Sequence, residues 1–114
     1  MFLPNRSRFT ARTLLFAIGV WFLWISTSLA SKGEVVYKSS SCDYFIVETP
    51  SGFALLEWYG GNDPYKGDII VGDFEEFGFQ DIYNITADSE LRVWVEDYWL
   101  SKEDAVEKYF EHCD

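Results

Sequence analysis

Two glutamates that stand close to tryptophans, Glu57 and Glu96, are the residues of this chain best suited to acid–base chemistry. A pair of carboxylates can hydrolyse a glycosidic bond, one acting as general acid and the other as base or nucleophile. Some such pair is expected by chance, because the 114 residues include 19 acidic ones. A small glycan-acting hydrolase is therefore kept as the alternative function.

Other catalytic chemistry has few residues to draw on. The only histidine, His112, lies near the C-terminal end, which is a poor place for a catalytic triad. The two cysteines, Cys42 and Cys113, do not form the Cys-x-x-C pair of redox sites, and Cys42 has no neighbouring thiol or histidine with which to bind zinc. The sequence predicts no catalytic residue and no cofactor, and we expect the protein not to be an enzyme.

Calcium is the metal ion that the sequence suits best. Asn62, Asp63 and Asp68 surround a glycine-rich loop, and Asp73 follows the next apolar run. Oxygen ligands of this kind bind calcium, although their spacing does not match the EF-hand loop. The alternative is a turn in which these side chains satisfy nearby backbone groups.

Aromatic residues are in excess, at 19% of the chain. A small sheet buries only one face fully, so several rings must lie at the surface or in a groove. Exposed rings among carboxylates suit stacking on sugars, cation–π contacts or a protein interface. The alternative is that most of the rings build the core. The predicted ligand surface consists of Trp58, Tyr59, Tyr65, Trp94 and Tyr98.

The charge of the chain is strongly negative. All 19 acidic residues but only six of the nine basic ones lie in Ser31–Asp114, which gives this part a net charge of −13 against −10 for the whole chain. Such a charge repels nucleic acid and anionic membrane surfaces and attracts cationic partners. The alternative is that the acidity only keeps the domain soluble.

The first thirty residues resemble a secretory signal peptide in composition. They combine three arginines and no acidic residue with the apolar run Leu14–Ile25, followed by the small residues Ser28 and Ala30. We expect cleavage after Ala30, with an uncleaved anchor as the alternative, because the run is short for a bilayer span of ~20 residues. Either outcome places the domain outside the cytoplasm, secreted or periplasmic, and limits its membrane contact to the signal peptide.

Export bears on two features of the sequence, the pair of cysteines and a glycosylation sequon. Cys42 and Cys113 are predicted to form a disulfide that closes a loop of about 70 residues, which stabilises the fold by roughly 4 kcal/mol in the chain-entropy model. Asn84-Ile85-Thr86 fits the N-glycosylation sequon, which matters only in a eukaryotic secretory pathway.

Alternating apolar residues and turn formers predict five strands. The central one, Ile69–Val71, lies between two Gly-Asp steps, and the two before it form a hairpin joined at Pro50-Ser51-Gly52. The segment Ser31–Ser41 is a polar lead-in, either a short strand or a flexible start. The other four strands are predicted over Asp43–Thr49, Phe53–Tyr59, Gln80–Thr86 and Leu91–Trp99.

A helix closes the chain. Ser101 with Asp104 three residues later fits the capping-box pattern, and an apolar stripe follows at spacings of three and four residues. Cys113 lies on that stripe, so a disulfide to Cys42 would attach the helix to the first main strand.

These elements predict a mainly β domain with one C-terminal helix, built as a small, strongly bent five-stranded antiparallel sheet or partial barrel. The order resembles that of SH3-like and OB-like barrels over roughly Cys42 to Tyr98, and folds of this kind host many functions. The domain organisation is a signal peptide at 1–30, the lead-in at 31–41 and the domain at 42–114. We expect a non-enzymatic binding module for a cationic protein segment or an envelope component, with ligand identity and oligomeric state left open.

Overall fold

The computed structural model describes residues 30–113, and the predicted signal peptide lies outside them except for Ala30. Six strands and one helix follow one another along the chain. They are β1 (Ser31–Lys38), β2 (Tyr44–Thr49), β3 (Gly52–Gly61), β4 (Ile69–Gly72), β5 (Gly78–Asn84), β6 (Ser89–Leu100) and α1 (Lys102–His112).

The strands form a closed barrel in the order β1-β2-β3-β6-β5-β4, with every neighbouring pair antiparallel. The predicted mainly β class with one C-terminal helix is confirmed, and the barrel has six strands rather than five. The additional strand is β1, which pairs with both β2 and β4 and so closes the barrel. Closure leaves no free sheet edge between these strands, which removes a common route to aggregation.

The polar composition of β1 has a structural cause. Its inward positions include Gly33, where an added Cβ would lie 2.5 Å from Cγ1 of Val47. The close approach of β2 therefore requires glycine where an alternating pattern would show an apolar residue. The register also shifts between Val35 and Tyr37, which places a bulge at Val36 and interrupts the period of two. Both features weaken the strand signal in the sequence.

The barrel interior holds the main core. Inward residues alternate with outward ones along each strand, as the period of a β-strand requires. Phe74, in the segment between β4 and β5, is also buried in this core. The core consists of Val35, Phe45, Val47, Ala54, Leu56, Ile70, Phe74, Ile82, Leu91, Val93 and Val95.

Helix α1 covers the outer face of β2 and β3. Ala105 and Tyr109 pack on Ile46 and Leu55 in a second apolar cluster. The N-cap is Ser101, whose side chain accepts a hydrogen bond from the backbone N–H of Asp104, as the sequence predicts. The predicted disulfide is present: Cys42 and Cys113 are bonded, with their Cα atoms 5.9 Å apart, so the end of the helix is attached beside the start of β2.

Candidate binding surface

An acidic and aromatic row crosses the outside of four adjacent strands. The strand register places Tyr44 of β2 opposite Glu57 of β3, Glu57 opposite Trp94 of β6, and Trp94 opposite Phe79 of β5. Cross-strand neighbours on one face lie about 4.5–5.5 Å apart at their Cβ atoms, so the four side chains form a continuous line. We call this line, together with Tyr59 and Glu96, the outer row.

Tyr59 and Glu96 extend the outer row, and each of them lies at a bulge. On β3 the register shifts between Trp58 and Gly60, and Tyr59 is the unpaired residue. On β6 the residue left without a partner is Glu96, because Leu55 and Leu56 pair with Asp97 and Val95. Bulges redirect side chains and are frequent beside functional sites. Tyr59 lies two positions after Glu57, on the same outward face of β3, and its side chain is 52% exposed.

The rings of the outer row contact one another edge to face. Phe79 lies between Tyr59 and Trp94, with both ring-centroid distances at 4.9 Å and interplanar angles of 87° and 80°. Edge-to-face pairs of this geometry contribute about 0.5–1.5 kcal/mol beyond the area they bury. The three rings therefore form a fixed apolar surface whose outermost members, Tyr59 and Phe79, stay exposed to solvent.

Arg92 binds to one end of this surface from within the chain. Its guanidinium carbon lies 5.1 Å from the centroid of the Phe79 ring, and its Nη1 lies 3.6 Å from a carboxylate oxygen of Asp81. The guanidinium thus combines a cation–π contact with an ion pair. This arrangement shows how a cationic side chain fits the outer row.

Tyr44 lies at the opposite end of the outer row, beside its two carboxylates. Burial raises the pKa of Tyr44 to about 12, and the charge of Glu57 and a hydrogen bond with that residue add to the shift, followed by the charge of Glu96. The Tyr44 ring also stacks on His112 of α1, with centroids 4.2 Å apart and planes inclined by 16°. Glu57 and Glu96, the predicted acid–base pair, therefore influence the same tyrosine.

The five residues of the predicted ligand surface separate into four locations. Tyr59 and Trp94 meet in the outer row. Trp58 packs against the barrel core and donates its Nε1–H to the backbone carbonyl of Asn62, while Tyr98 packs against the same core from the other end of the barrel. Tyr65 is 78% exposed in the loop between β3 and β4, away from the other rings that form aromatic pairs.

The residues proposed for calcium are also divided. Asn62 and Asp68 both accept hydrogen bonds from Nδ2 of Asn84, at 2.8 and 2.9 Å. Asp63 pairs with Nζ of Lys38 at 3.1 Å, and Asp73 accepts from the backbone N–H of Glu75. Within residues 30–113, no three His, Cys, Asp or Glu side chains are grouped so that they could hold a metal ion.

Asn84 is the centre of this polar group at the barrel end. Its side chain is fully buried, its Oδ1 accepts from the N–H of Ala87, and its Nδ2 donates to the two loop residues Asn62 and Asp68. The network attaches the loop between β3 and β4 to the turn after β5. The folded domain therefore keeps the acceptor nitrogen of the sequon Asn84-Ile85-Thr86 inside.

A second aromatic group lies at the opposite end of the barrel. The Tyr98 ring contacts Phe77 and Trp99, with centroids 4.8 and 5.1 Å away. Trp99 has a φ of 59°, an unusual conformation for a bulky residue, and the Trp99 side chain is 66% exposed. Its indole N–H donates to the carboxylate of Glu75.

The sequence analysis does not include Tyr44 and Phe79 of the outer row or Phe77 and Trp99 of the second aromatic group. The strand predicted over Gln80–Thr86 leaves Phe79 one residue outside it. A strand starting at Gly78 would have shown Phe79, Asp81 and Tyr83 on one outward face. The alternation of outward and inward residues would therefore have identified Phe79 as outward-facing, but the predicted strand begins one residue after it.

Comparison of the chain with family models, with curated proteins and with solved structures found no match. In residues 30–113 the single helix is too short and too polar to cross a membrane.

Proposed function

We propose that this chain is an exported, non-enzymatic binding module that holds a cationic protein segment on the outer row. The observation that carries the proposal is the position of Arg92, whose guanidinium lies on Phe79 and against Asp81. A partner's arginine or lysine side chain would find the same combination at the other end of the row, where the rings of Tyr44 and Trp94 stand beside Glu57 and Glu96.

The charge of the protein supports a cationic partner. Ser31–Asp114 contains 19 acidic and six basic side chains, and three of those basic ones are engaged in ion pairs with Asp63, Asp81 and Asp97. A surface of one sign accelerates the approach of oppositely charged partners and confers a strong dependence on salt. The aromatic rings would then supply the contact area that charge alone does not provide.

Export is part of this proposal. The Cys42–Cys113 disulfide fits an oxidising compartment outside the cytoplasm, where such bonds persist. We propose that a signal peptide is removed after Ala30 and that the protein acts in the periplasm or the extracellular space. N-terminal sequencing of the exported protein tests this proposal, and a mature chain that starts well away from Ser31 would refute the assignment of the cleavage site.

Titration with a short arginine-rich peptide tests the binding proposal. We expect the tryptophan fluorescence of the protein to change as the peptide binds, because Trp94 lies in the outer row. The Kd should rise by roughly tenfold or more between about 50 and 500 mM salt, because screening shortens the range of the charge interaction. A Kd that does not change with salt would refute the electrostatic part of the proposal. A neutral peptide of equal length, with serine in place of arginine, is the matched ligand control.

A glycan-acting hydrolase remains the second candidate, since Glu57 and Glu96 both act on Tyr44 and therefore lie on one surface. Enzymes that cleave glycosidic bonds usually do so with a pair of carboxylates, and here the pair has aromatic neighbours. Replacement of both glutamates by glutamine must abolish turnover of an envelope glycan if this candidate is right. Turnover that survives the double replacement would eliminate it.

A further inference from the structure

A cleft of about 300 Å³ lies between α1 and the outer face of β1, β2 and β3. Its floor is Ile46, which is buried, and its walls are Val36, Phe53 and Val106. Volumes of about 300–1,000 Å³ are typical of small-molecule sites, so this cleft suits a ligand at the small end of the range. It lies on the helix side of the barrel and does not include the residues of the outer row.

Two opposite charges line the cleft. They belong to Glu48 of β2 and to Lys102 of α1, and neither side chain takes part in an ion pair among the described residues. The cleft therefore combines an apolar surface with one negatively and one positively charged side chain.

Both charges stand in positions that are unfavourable for the fold alone. Glu48 is directly opposite Glu34 in the register of β1 and β2, and like charges at such positions destabilise a sheet. Lys102 is the first residue of α1, where the helix dipole disfavours a cation. A ligand that brings an ammonium group to Glu48 and a carboxylate to Lys102 would relieve both.

The backbone of β1 and that of α1 both shape the cleft. The bulge at Val36 interrupts the pairing of β1 with β2 beside Ile46. Lys102 and Val106 are four residues apart on α1, so their side chains lie on one face of the helix, and both line the cleft.

We propose that this cleft binds a small zwitterion with an apolar body, of the class of the hydrophobic α-amino acids. Its ammonium group pairs with Glu48, its carboxylate pairs with Lys102, and its side chain packs on Ile46, Phe53 and Val106. No bond forms or breaks, so this is a binding site and involves no reaction.

Calorimetric titration of the purified protein with L-leucine and L-phenylalanine tests the proposal. Three ligands that each lack one feature serve as controls: glycine has no apolar body, 3-methylbutylamine has no carboxylate and 4-methylpentanoate has no amine. We expect leucine or phenylalanine to bind at least about tenfold more tightly than every control ligand. Absence of binding up to about 10 mM, or equal binding of the amine or the acid alone, would overturn the proposal.

Variants locate the ligand. Glu48→Gln and Lys102→Gln should each weaken binding about tenfold, and Val106→Trp should abolish it by filling the cleft. Glu111→Gln, an equal loss of charge at an exposed position of the same helix, should leave the Kd within about threefold. Far-ultraviolet circular dichroism of each variant establishes that it is folded. Folded Glu48→Gln and Lys102→Gln variants that both retain the original Kd would overturn the proposal.

Discussion

The guanidinium of Arg92 lies over the ring of Phe79, one strand away, at 5.1 Å from the ring centroid, and contacts Asp81 on the same strand as that ring. The two strands are paired so that Arg92 stands directly opposite Asp81 and Trp94 directly opposite Phe79. Register therefore fixes a cation, its carboxylate and two rings in one patch. The domain contains its own example of the contact that we propose for a partner.

A peptide with several arginines should reach both ends of the outer row, so a second arginine, beyond the one beside Glu57 and Glu96, should compete with Arg92 for Phe79. Arg92→Gln removes a positive charge from the surface and uncovers the ring, so the affinity for an arginine-rich peptide should increase about two- to fivefold, as expected for a cation–π contact of ~0.5–1 kcal/mol. Fluorescence titration measures this change. Lys66→Gln, which removes an equal charge from the loop between β3 and β4, is the control and should have a smaller effect. A higher Kd for Arg92→Gln than for the wild type would contradict this competition, because it would show that Arg92 contributes to binding.

Ionisation of Tyr44 should make the stability depend on alkaline pH. The folded-state pKa of Tyr44 is about 12, above its ordinary value of 10.0, so the native state holds this proton more tightly than the unfolded state. The resulting stabilisation is fully present below pH 10 and is lost as the pH rises towards 12. Urea unfolding across this range, on the wild type and on Tyr44→Phe, measures it. Identical pH profiles would contradict the burial of Tyr44 beside Glu57.

The disulfide should be a major support of the helix. Cys42 and Cys113 are separated by 71 positions, and a closed loop of this length stabilises a fold by roughly 4 kcal/mol in the chain-entropy model. Cys42→Ser combined with Cys113→Ser should lower the free energy of unfolding by about this amount and release α1 first. Denaturant unfolding followed by circular dichroism measures both effects. Alkylation of the unreduced, denatured wild type should find no free thiol, and a reactive thiol would contradict the bond.

Asn84 should behave as a structural residue. Asn84→Ala leaves the carboxylate of Asp68 buried without the amide that bonds it, and we expect a loss of about 2–3 kcal/mol. Thermal unfolding measures the loss. Asn62→Ala is the comparison, because it removes only one acceptor of the same amide and should cost about 1 kcal/mol. Equal and small losses in both variants would show that the network does not hold the loop.

The hydroxyl of Tyr109 should be dispensable while its ring is not. Burial raises the pKa of Tyr109, and polar groups of Ser39 nearby oppose that shift, but among the described residues no atom completes a hydrogen bond to the buried hydroxyl. The free energy of unfolding of Tyr109→Phe should therefore equal that of the wild type or exceed it by up to about 1 kcal/mol. Tyr109→Ala should lose about 3–5 kcal/mol, because it opens a cavity under α1. Urea unfolding of the two variants separates the roles, and a large loss in Tyr109→Phe would reveal a hydrogen bond to the hydroxyl.

Local patterns in the sequence predicted most of the elements. The hairpin around Pro50-Ser51-Gly52, the capped helix and the disulfide follow from turn residues, the Ser101 cap and the cysteine count. The sequence does not decide between a strand and a flexible start for β1, because Gly33 occupies an inward position and the bulge at Val36 breaks the alternation. These are effects of contact with β2, which a local pattern does not encode.

The outer row could be predicted only in part. Trp94 and Tyr59 were named as ligand-surface residues, and Glu57 and Glu96 as a pair, from residue type alone. The line from Tyr44 to Phe79 depends on the register of four strands, which brings residues 35 positions apart into one row. Trp58 and Tyr98 have the same composition signal but face the core. Residue type alone does not distinguish the two faces of a strand.

The most direct test of the account compares two double variants that lose the same charge. Glu57→Gln with Glu96→Gln changes the outer row, and Glu107→Gln with Glu111→Gln changes the exposed side of α1. Each is titrated with the same arginine-rich peptide at low salt. We predict that the first pair weakens binding about tenfold or more, while the second changes the Kd less than about threefold. Equal weakening by both pairs would show that the peptide responds to net charge alone and would contradict a binding site on the outer row.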